Sequence, residues 1–424
     1  MDEQIQVESR GLGSDFWKFF AGQTISNLGS SFTFFALPLL VYEITGSALS
    51  LGITTAMEFI PYLLFGLVIG AWTDRLDRKR LMIIVDILRA IVITTVPLVA
   101  MADSLTVGWI YGVGFTMSTL NIFFDSTQFA AIPHIVGRKD LVTANGRVQA
   151  SFQGAQLAGP VMAGALASVF PIAQVLWFDA LSFIVSAATL VIVRASFNDL
   201  HQSRERKSIR QDVVEGLGFV FRHPVLRAIS GMMALFNLVS ASVFTQLVLF
   251  ADVRLNATRP QIGFLFASAS GGMALMSLLA GRIRKRLPFS KVALGALTLC
   301  GLSLLLFARM TEFWLALPLF ALQAGFGILF NIQTISLRQL IVPDQMMGRV
   351  MSVAGVLAWS AIPVGAYLGG SIIESTGDVA AVYTGIGIIT VVIPLVFAFG
   401  PIGHAERYVP QDQELEVARP LDSQ

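Results

Sequence analysis

The sequence contains a single cysteine, Cys300, in 424 residues, and four histidines at 134, 201, 223 and 404. One cysteine excludes a disulfide framework and a cysteine-built metal site. The scattered histidines have no metal-ligand spacing, so no metal is expected. Charge is also scarce. Only 13% of residues are charged, about half of the roughly 25% in a soluble domain. The 29 Lys/Arg and 27 Asp/Glu leave a net charge of +2, too balanced for a nucleic-acid partner. The phosphate-cradling pattern G-x-x-x-x-G-K-[ST] is missing. No nucleophile and base occur in a catalytic pattern. These absences argue against an enzyme and against a cofactor, and they leave an ion gradient as the energy source for any uphill work.

What the chain has is apolar length. Hydrophobic residues make up 55%, and the mean hydropathy is +0.72. A bilayer crossing needs about 20 apolar residues, and twelve such runs occur, at 16–42, 49–72, 80–101, 104–128, 145–169, 172–193, 225–251, 260–281, 289–309, 313–336, 347–371 and 379–400. The expected fold is an all-α integral membrane protein with 12 transmembrane helices in two six-helix halves. Its parts are an N-terminal segment (1–15), a first half (16–193), a central loop (194–224), a second half (225–400) and a polar, disordered tail (401–424). The first run lacks a signal-peptide cleavage pattern and should stay in the mature protein. With the N-terminus inside, 25 of the 29 Lys/Arg fall in cytoplasmic segments, as the positive-inside rule requires. Both termini are therefore expected in the cytoplasm, in a multi-pass protein of the cell inner (plasma) membrane.

The halves carry traces of each other. Asn27-Leu28, Ser30, Phe34, Leu37 and Leu39 recur 210 positions later as Asn237-Leu238, Ser240, Phe244, Leu247 and Leu249. Phe124-Asp125 answers Phe330-Asn331 at an offset of 206, and Gly146-Arg147-Val148 answers Gly348-Arg349-Val350. Two related halves around a midplane site form a transporter design.

The loop after the second run reads Gly70-Ala71-Trp72-Thr73-Asp74-Arg75-Leu76-Asp77-Arg78-Lys79-Arg80. It resembles the G-x-x-x-D-R-x-G-R-R/K signature of the major facilitator superfamily, with Asp77 in place of the usual glycine. The resemblance implies a cytoplasmic gate at Gly70, Asp74, Arg75, Arg78 and Lys79. Gly154, Gly159-Pro160 and Gly164 look like a relaxed form of the glycine-proline motif of antiporters. Ala130-Ala131-Ile132-Pro133, Asp179-Ala180-Leu181-Ser182-Phe183 and Glu215-Gly216-Leu217-Gly218-Phe219 resemble the drug:proton antiporter branch, which includes macrolide-efflux proteins and the enterobactin exporter. The implied function is secondary active efflux of an amphipathic small molecule (a drug, a macrolide-like compound or a siderophore), by alternating access and proton antiport, from a monomer. The alternatives are a solute or lysophospholipid importer on the same scaffold and, from another class, a membrane sensor or scaffold, which would need a signalling domain that the sequence does not show.

Candidate working residues are the polar ones inside apolar runs. An ionised carboxylate there costs several kcal/mol, so it should face a wet cavity or carry a proton. Glu58 is the deepest, with Asp179 and Asp125 as further proton-coupling candidates. Asp86 and Arg89 lie three apart on one helical face and should form an internal ion pair. Asn121, Asp125 and Gln128, like Gln149, Gln153 and Gln156, form stripes at helical spacing that point to a cavity or a partner helix. Asn27, Asn237, Gln246, Gln323 and Asn331 complete the cavity-lining candidates. Lipid is the other expected partner, through the basic loops.

Overall fold

A computed structural model of the chain describes residues 12–73, 76–136, 140–197 and 209–408. The first half holds α1 (Ser14–Thr45), α2 (Ala48–Thr73), α3 (Arg78–Met101), α4 (Val107–Ile135), α5 (Leu141–Leu166) and α6 (Ile172–Ile192). A helix α7 (Ile209–Arg222) follows. The second half holds α8 (Pro224–Thr245), α9 (Leu247–Leu255), α10 (Arg259–Arg286), α11 (Phe289–Ala308), α12 (Phe313–Ile341), α13 (Asp344–Trp359), α14 (Ala361–Thr376) and α15 (Val379–Ala398). A 3-10 helix, Pro401–Tyr408, closes the described chain.

Twelve crossings result. Eleven described helices are long and apolar enough to span a bilayer. The twelfth, α5, is not apolar enough, because Asn145, Gln149, Gln153 and Gln156 sit in it, yet it packs between α1 and α10. Two crossings are broken. The seventh bends at Gln246 (φ −96°, ψ 8°) between α8 and α9. The eleventh stops at Trp359 and restarts as α14. Pro363 explains this break, since proline lacks an N–H and its ring clashes with the carbonyl four residues back, here that of Trp359.

Two sequence expectations need amendment. The central loop is not wholly irregular, because α7 lies in it. It seats Gly216 against α13, where an added Cβ would lie 2.9 Å from the Arg349 carbonyl oxygen. The tail also starts as ordered structure. Ile402 and Ala405 are buried, and Glu406 accepts hydrogen bonds from the Ser290 N–H and hydroxyl, both at 2.9 Å.

Within each half the same pairings repeat. In the first, α1 packs on α5 and α6, α2 on α4, and α3 on α4 and α6. In the second, α8 packs on α14 and α15, α10 on α12, and α11 on α12 and α15. The halves meet along two seams, α2 with α14 and α5 with α10. Small residues make each seam, as close helix approach in a bilayer requires. A Cβ on Gly52 would lie 2.5 Å from the Ala366 carbonyl oxygen, and one on Gly370 2.6 Å from that of Ala48. In the other seam Gly263 meets the Pro160 carbonyl, and Gly164 meets that of Arg259 at 2.8 Å. Gly52 and Ala48 lie 211 positions before Gly263 and Arg259, while Pro160 and Gly164 lie 206 before Ala366 and Gly370. The seams are therefore copies of one another.

Both seams close from one end only. With twelve crossings, both ends of the described chain lie on one face, the basic face, where the Lys/Arg-rich connections also lie. At the opposite face the halves are clasped together. Tyr42 Oη donates to Asp252 Oδ2 (2.8 Å), and Arg259 Nη2 meets Glu43 Oε1 (2.6 Å). Gln246 Nε2 donates to the Ala48 carbonyl (2.8 Å), and the Ser47 hydroxyl donates to Glu374 (3.1 Å). Contact continues inward to Ser270, whose hydroxyl donates to the Gln156 carbonyl (2.9 Å), and to the Tyr62–Trp359 ring pair (6.1 Å). Beyond that point Gly66, Gly146, Gly154, Gly281 and Gly355 have nothing within 4 Å of an added Cβ. Among the described residues, the contacts that join the halves gather at the opposite face and thin toward the basic face.

Candidate functional site

The cleft that opens to the basic face is bordered by polar side chains from both halves. Asn27 on α1, Asn121 on α4 and Asn331 on α12 are partly exposed, and Gln149 and Gln153 on α5 are exposed. Among the described residues no hydrogen bond engages their side-chain amides, nor that of Gln156. They are available to a ligand or to water.

Other predicted lining residues are occupied by the protein. Asn237 Nδ2 donates to the Ala358 carbonyl (2.9 Å). Gln246 is fully buried in the outer clasp. Gln323 lies buried with its amide 3.7 Å from Cys300 Sγ. Of the glycine-proline motif, Gly159 packs on Ser31, while Pro160 and Gly164 form the α5–α10 seam. Only Gly154 faces open space.

The acids of the first half differ in surroundings. Glu58 sits midway along α2, where its Cγ comes within 3.6 Å of the Cβ position of Gly114 on α4. The Ser118 hydroxyl donates to the Glu58 backbone carbonyl, tying α4 to α2. The Glu58 carboxylate itself has no hydrogen bond among the described residues. Asp179 is the reverse case. It is fully buried, accepts from the Thr33 hydroxyl and from Ser182 Oγ at 3.2 Å, and fastens α6 to α1. Asp86 and Arg89 form the expected ion pair at 3.4 Å, with almost no exposed surface. The guanidinium also donates to the Leu120 carbonyl (3.4 Å) and lies 4.3 Å from the Phe124 ring centre. Asp125 and Asp179 are both within its electrostatic reach. The i, i+3 spacing to Asp86 does not reveal the further contacts of Arg89 with Leu120 and Phe124.

Of the signature loop, Asp74 and Arg75 lie outside the described residues, and Gly70 is placed only as part of α2. The described basic residues have partners. Arg78 Nη1 donates to the Phe197 carbonyl (3.1 Å) and lies 3.0 Å from His134 Nε2. Lys79 Nζ donates to the Val193 carbonyl (2.5 Å). Lys79 thus caps the carboxyl end of α6, where the helix dipole favours positive charge, while Arg78 holds the segment that follows it.

Sequence reasoning did not find the outer clasp. Tyr42 and Asp252 are ordinary interface residues by type, and only the fold brings them together. Among the described residues, no group of three His, Cys, Asp or Glu side chains is placed to hold a metal.

The chain is similar to known proteins. Macrolide efflux protein A of Streptococcus pyogenes is 26% identical over 358 residues, covering 83% of this chain and 88% of that protein. The multidrug efflux pump Tap of Mycolicibacterium fortuitum is 28% identical over 366 residues, covering 82% and 87%. A solved structure of a variant of the nucleoside transporter NupG superposes with a TM-score of 0.75 at 13% identity, covering 92% of this chain and all of that one. A bacterial homologue of the iron transporter ferroportin gives 0.72 at 15%, covering 92% and 100%. At such identities the solved structures establish the fold alone. The profile of the transmembrane secretion effectors matches residues 14–423. With twelve crossings in two copied halves, the chain belongs to that family of the major facilitator superfamily and is an efflux transporter.

Proposed function

We propose that this transporter exports an amphipathic small molecule in exchange for protons, as a monomer in the cell inner membrane with both termini cytoplasmic. The observation that carries the reading is the one-sided closure of the two seams, with free amides and Glu58 in the half of the molecule that stays open. The basic face is the cytoplasmic one by charge, so a solute from the cytoplasm enters the cleft between Asn27, Asn121, Gln153 and Asn331. The names of the relatives make macrolides and other drugs the first substrates to test.

Export needs the seams to exchange: the outer clasp opens and the basic face closes. In this reading the second closure is assigned to Asp74, through the attraction of a helix amino end for a carboxylate. The proton cycle belongs to the first half, which carries Glu58, Asp86, Asp125 and Asp179 within its helices. Glu58 is the carrier in this reading, because no protein partner holds its carboxylate in one charge state. A proton taken from outside neutralises it, and wetting from the cytoplasm releases the proton while substrate enters. Asp179, fixed between Thr33 and Ser182, is structural.

Reconstituted vesicles with an imposed pH gradient test this. Glu58→Gln keeps the shape of the protonated form, so it should bind substrate and fail to accumulate it. Uphill transport at the parental rate would overturn the assignment and pass the proton to Asp125 or Asp179.

A further inference from the structure

The second half has its own buried charge. Arg338 lies in the last turn of α12, three residues before its end at Ile341. By sequence it reads as one of the basic residues of a connecting loop. In the fold only 3% of its surface is exposed. A long cationic side chain at a helix end normally reaches to the interface, and this one does not.

No hydrogen bond or ion pair joins its guanidinium to any described residue, and Nη2 is buried without a partner. The two acids at this end of the half whose side chains are described are engaged elsewhere; the side chains of Asp212 and Asp344 lie outside the described residues. Glu215 pairs with Arg349, and Glu406 accepts from Ser290.

A second buried polar group stands at the same level of the facing helix. Phe236 stacks edge-on against Phe330 with ring centres 5.5 Å apart, and Thr334 Oγ1 lies 3.6 Å from Met233 Sδ. These contacts fix an antiparallel register of α12 on α8. One turn further toward the basic face, the register brings Leu337 and Arg338 level with Ile229 and Ser230. The Ser230 hydroxyl is buried and has no partner. Helical hydroxyls usually bond back to the preceding turn. Thr298 and Ser303 on α11 do so in this protein, and Ser230 does not.

A buried guanidinium without a counter-charge is strongly destabilising unless something supplies the charge. Its planar fork of donors matches carboxylate and phosphate oxygens, and a neighbouring hydroxyl adds one more donor. We infer that Arg338 and Ser230 form an oxyanion site between α12 and α8, taking a phosphate or carboxylate group that arrives from the basic face. The distance along α12 to its basic end is only about 5 Å. Two sources carry this chemistry, a soluble anion in the cleft or the headgroup of an anionic lipid. The inference rests on the second half alone and is independent of the proton reading.

The test is thermal unfolding of the intact protein in lipid nanodiscs. Inorganic phosphate titrated into discs of pure phosphatidylcholine should raise the midpoint by a few degrees if the anion is soluble. Phosphatidylglycerol in the discs should raise it, with phosphate silent, if the anion is a headgroup. In both cases Arg338→Gln should abolish the response and, without anion, should unfold no earlier than the parent, because an uncompensated charge has been removed. Arg338→Lys should keep part of the response. Should Arg338→Gln fail to fold, Ser230→Ala carries the test, with at least a twofold weaker half-saturating concentration expected. A parent insensitive to both phosphate and phosphatidylglycerol, a response unchanged by these substitutions, or an Arg338→Gln loss of stability equal in all conditions would overturn the site, leaving a structural arginine bridged by water.

Discussion

At the residue scale, one motif has two fates. Asn27 and Asn237 are the same position in the two halves, 210 apart. Asn237 finds the Ala358 carbonyl, 121 residues away, and Asn27 finds no partner among the described residues. Polar residues inside apolar runs were legible in the sequence. Whether each faces the cleft depends on a carbonyl from a distant helix, which spacing along one helix does not encode. Asp179 shows the same limit from the other side. We expect Asp179→Asn to lower the unfolding midpoint while leaving proton-driven transport per folded molecule near normal, since its work is to join α1 and α6; abolished transport in a fully folded variant would contradict this. His223 gives a pH prediction. It caps α8, its Nδ1 accepting the Leu226 N–H at 3.4 Å, and burial holds its pKa below the ordinary 6.5. The unfolded chain then binds the proton more readily than the folded one. The stability His223 contributes is present above pH about 6.5 and is lost as pH falls below it. His223→Asn, which caps without titrating, should flatten the stability of the protein between about pH 5 and 7 relative to the parent, read as unfolding midpoint against pH.

At the scale of elements, apolar length found every crossing, including α5, whose glutamines leave it too polar for a strict hydropathy criterion. It did not find the breaks in the seventh and eleventh crossings. The eleventh could have been seen, because Pro363 forbids continuity with Trp359. The seventh could not, because the bend at Gln246 accompanies a side-chain bond to Ala48 on another helix. Helix α7 was hidden by the charges around it. The signature loop also works within its own half. Lys79 caps α6 within the first half, so Lys79→Ala should cost about 0.3–2 kcal/mol of stability, measured by denaturant unfolding, whether or not the gate is engaged. By contrast Gly216→Val should lift α7 from α13, because the added side chain has no room beside the Arg349 carbonyl. Protease cleavage within 209–222 should then accelerate while the helices of both halves stay resistant.

At the scale of the whole molecule, the balance between closed and open faces is set by few contacts. The Glu43–Arg259 pair is partly exposed, and such pairs contribute roughly 0.2–1 kcal/mol. That is enough to move a two-state balance up to about fivefold. Glu43→Gln should therefore favour opening at the outer face. A cysteine at Thr55, whose hydroxyl lies 3.0 Å from that of Thr245 across the halves, should react faster with an external thiol reagent in this background. The native Cys300 is buried and contributes little background. Unchanged labelling would show that Tyr42–Asp252 and Gln246–Ala48 hold the clasp without it. The Tyr42–Asp252 bond has a further implication. The two residues are separated by 210 positions, the offset that relates the first helices of the two halves, so they are one position meeting its own copy. In a symmetric dimer of identical six-helix chains, a residue on the twofold axis faces itself: tyrosine opposite tyrosine, or carboxylate repelling carboxylate. Only in a fused chain, where each copy varies separately, does that axis carry a donor opposite an acceptor. The latch at the outer face is thus a contact that two unlinked identical halves are unable to make.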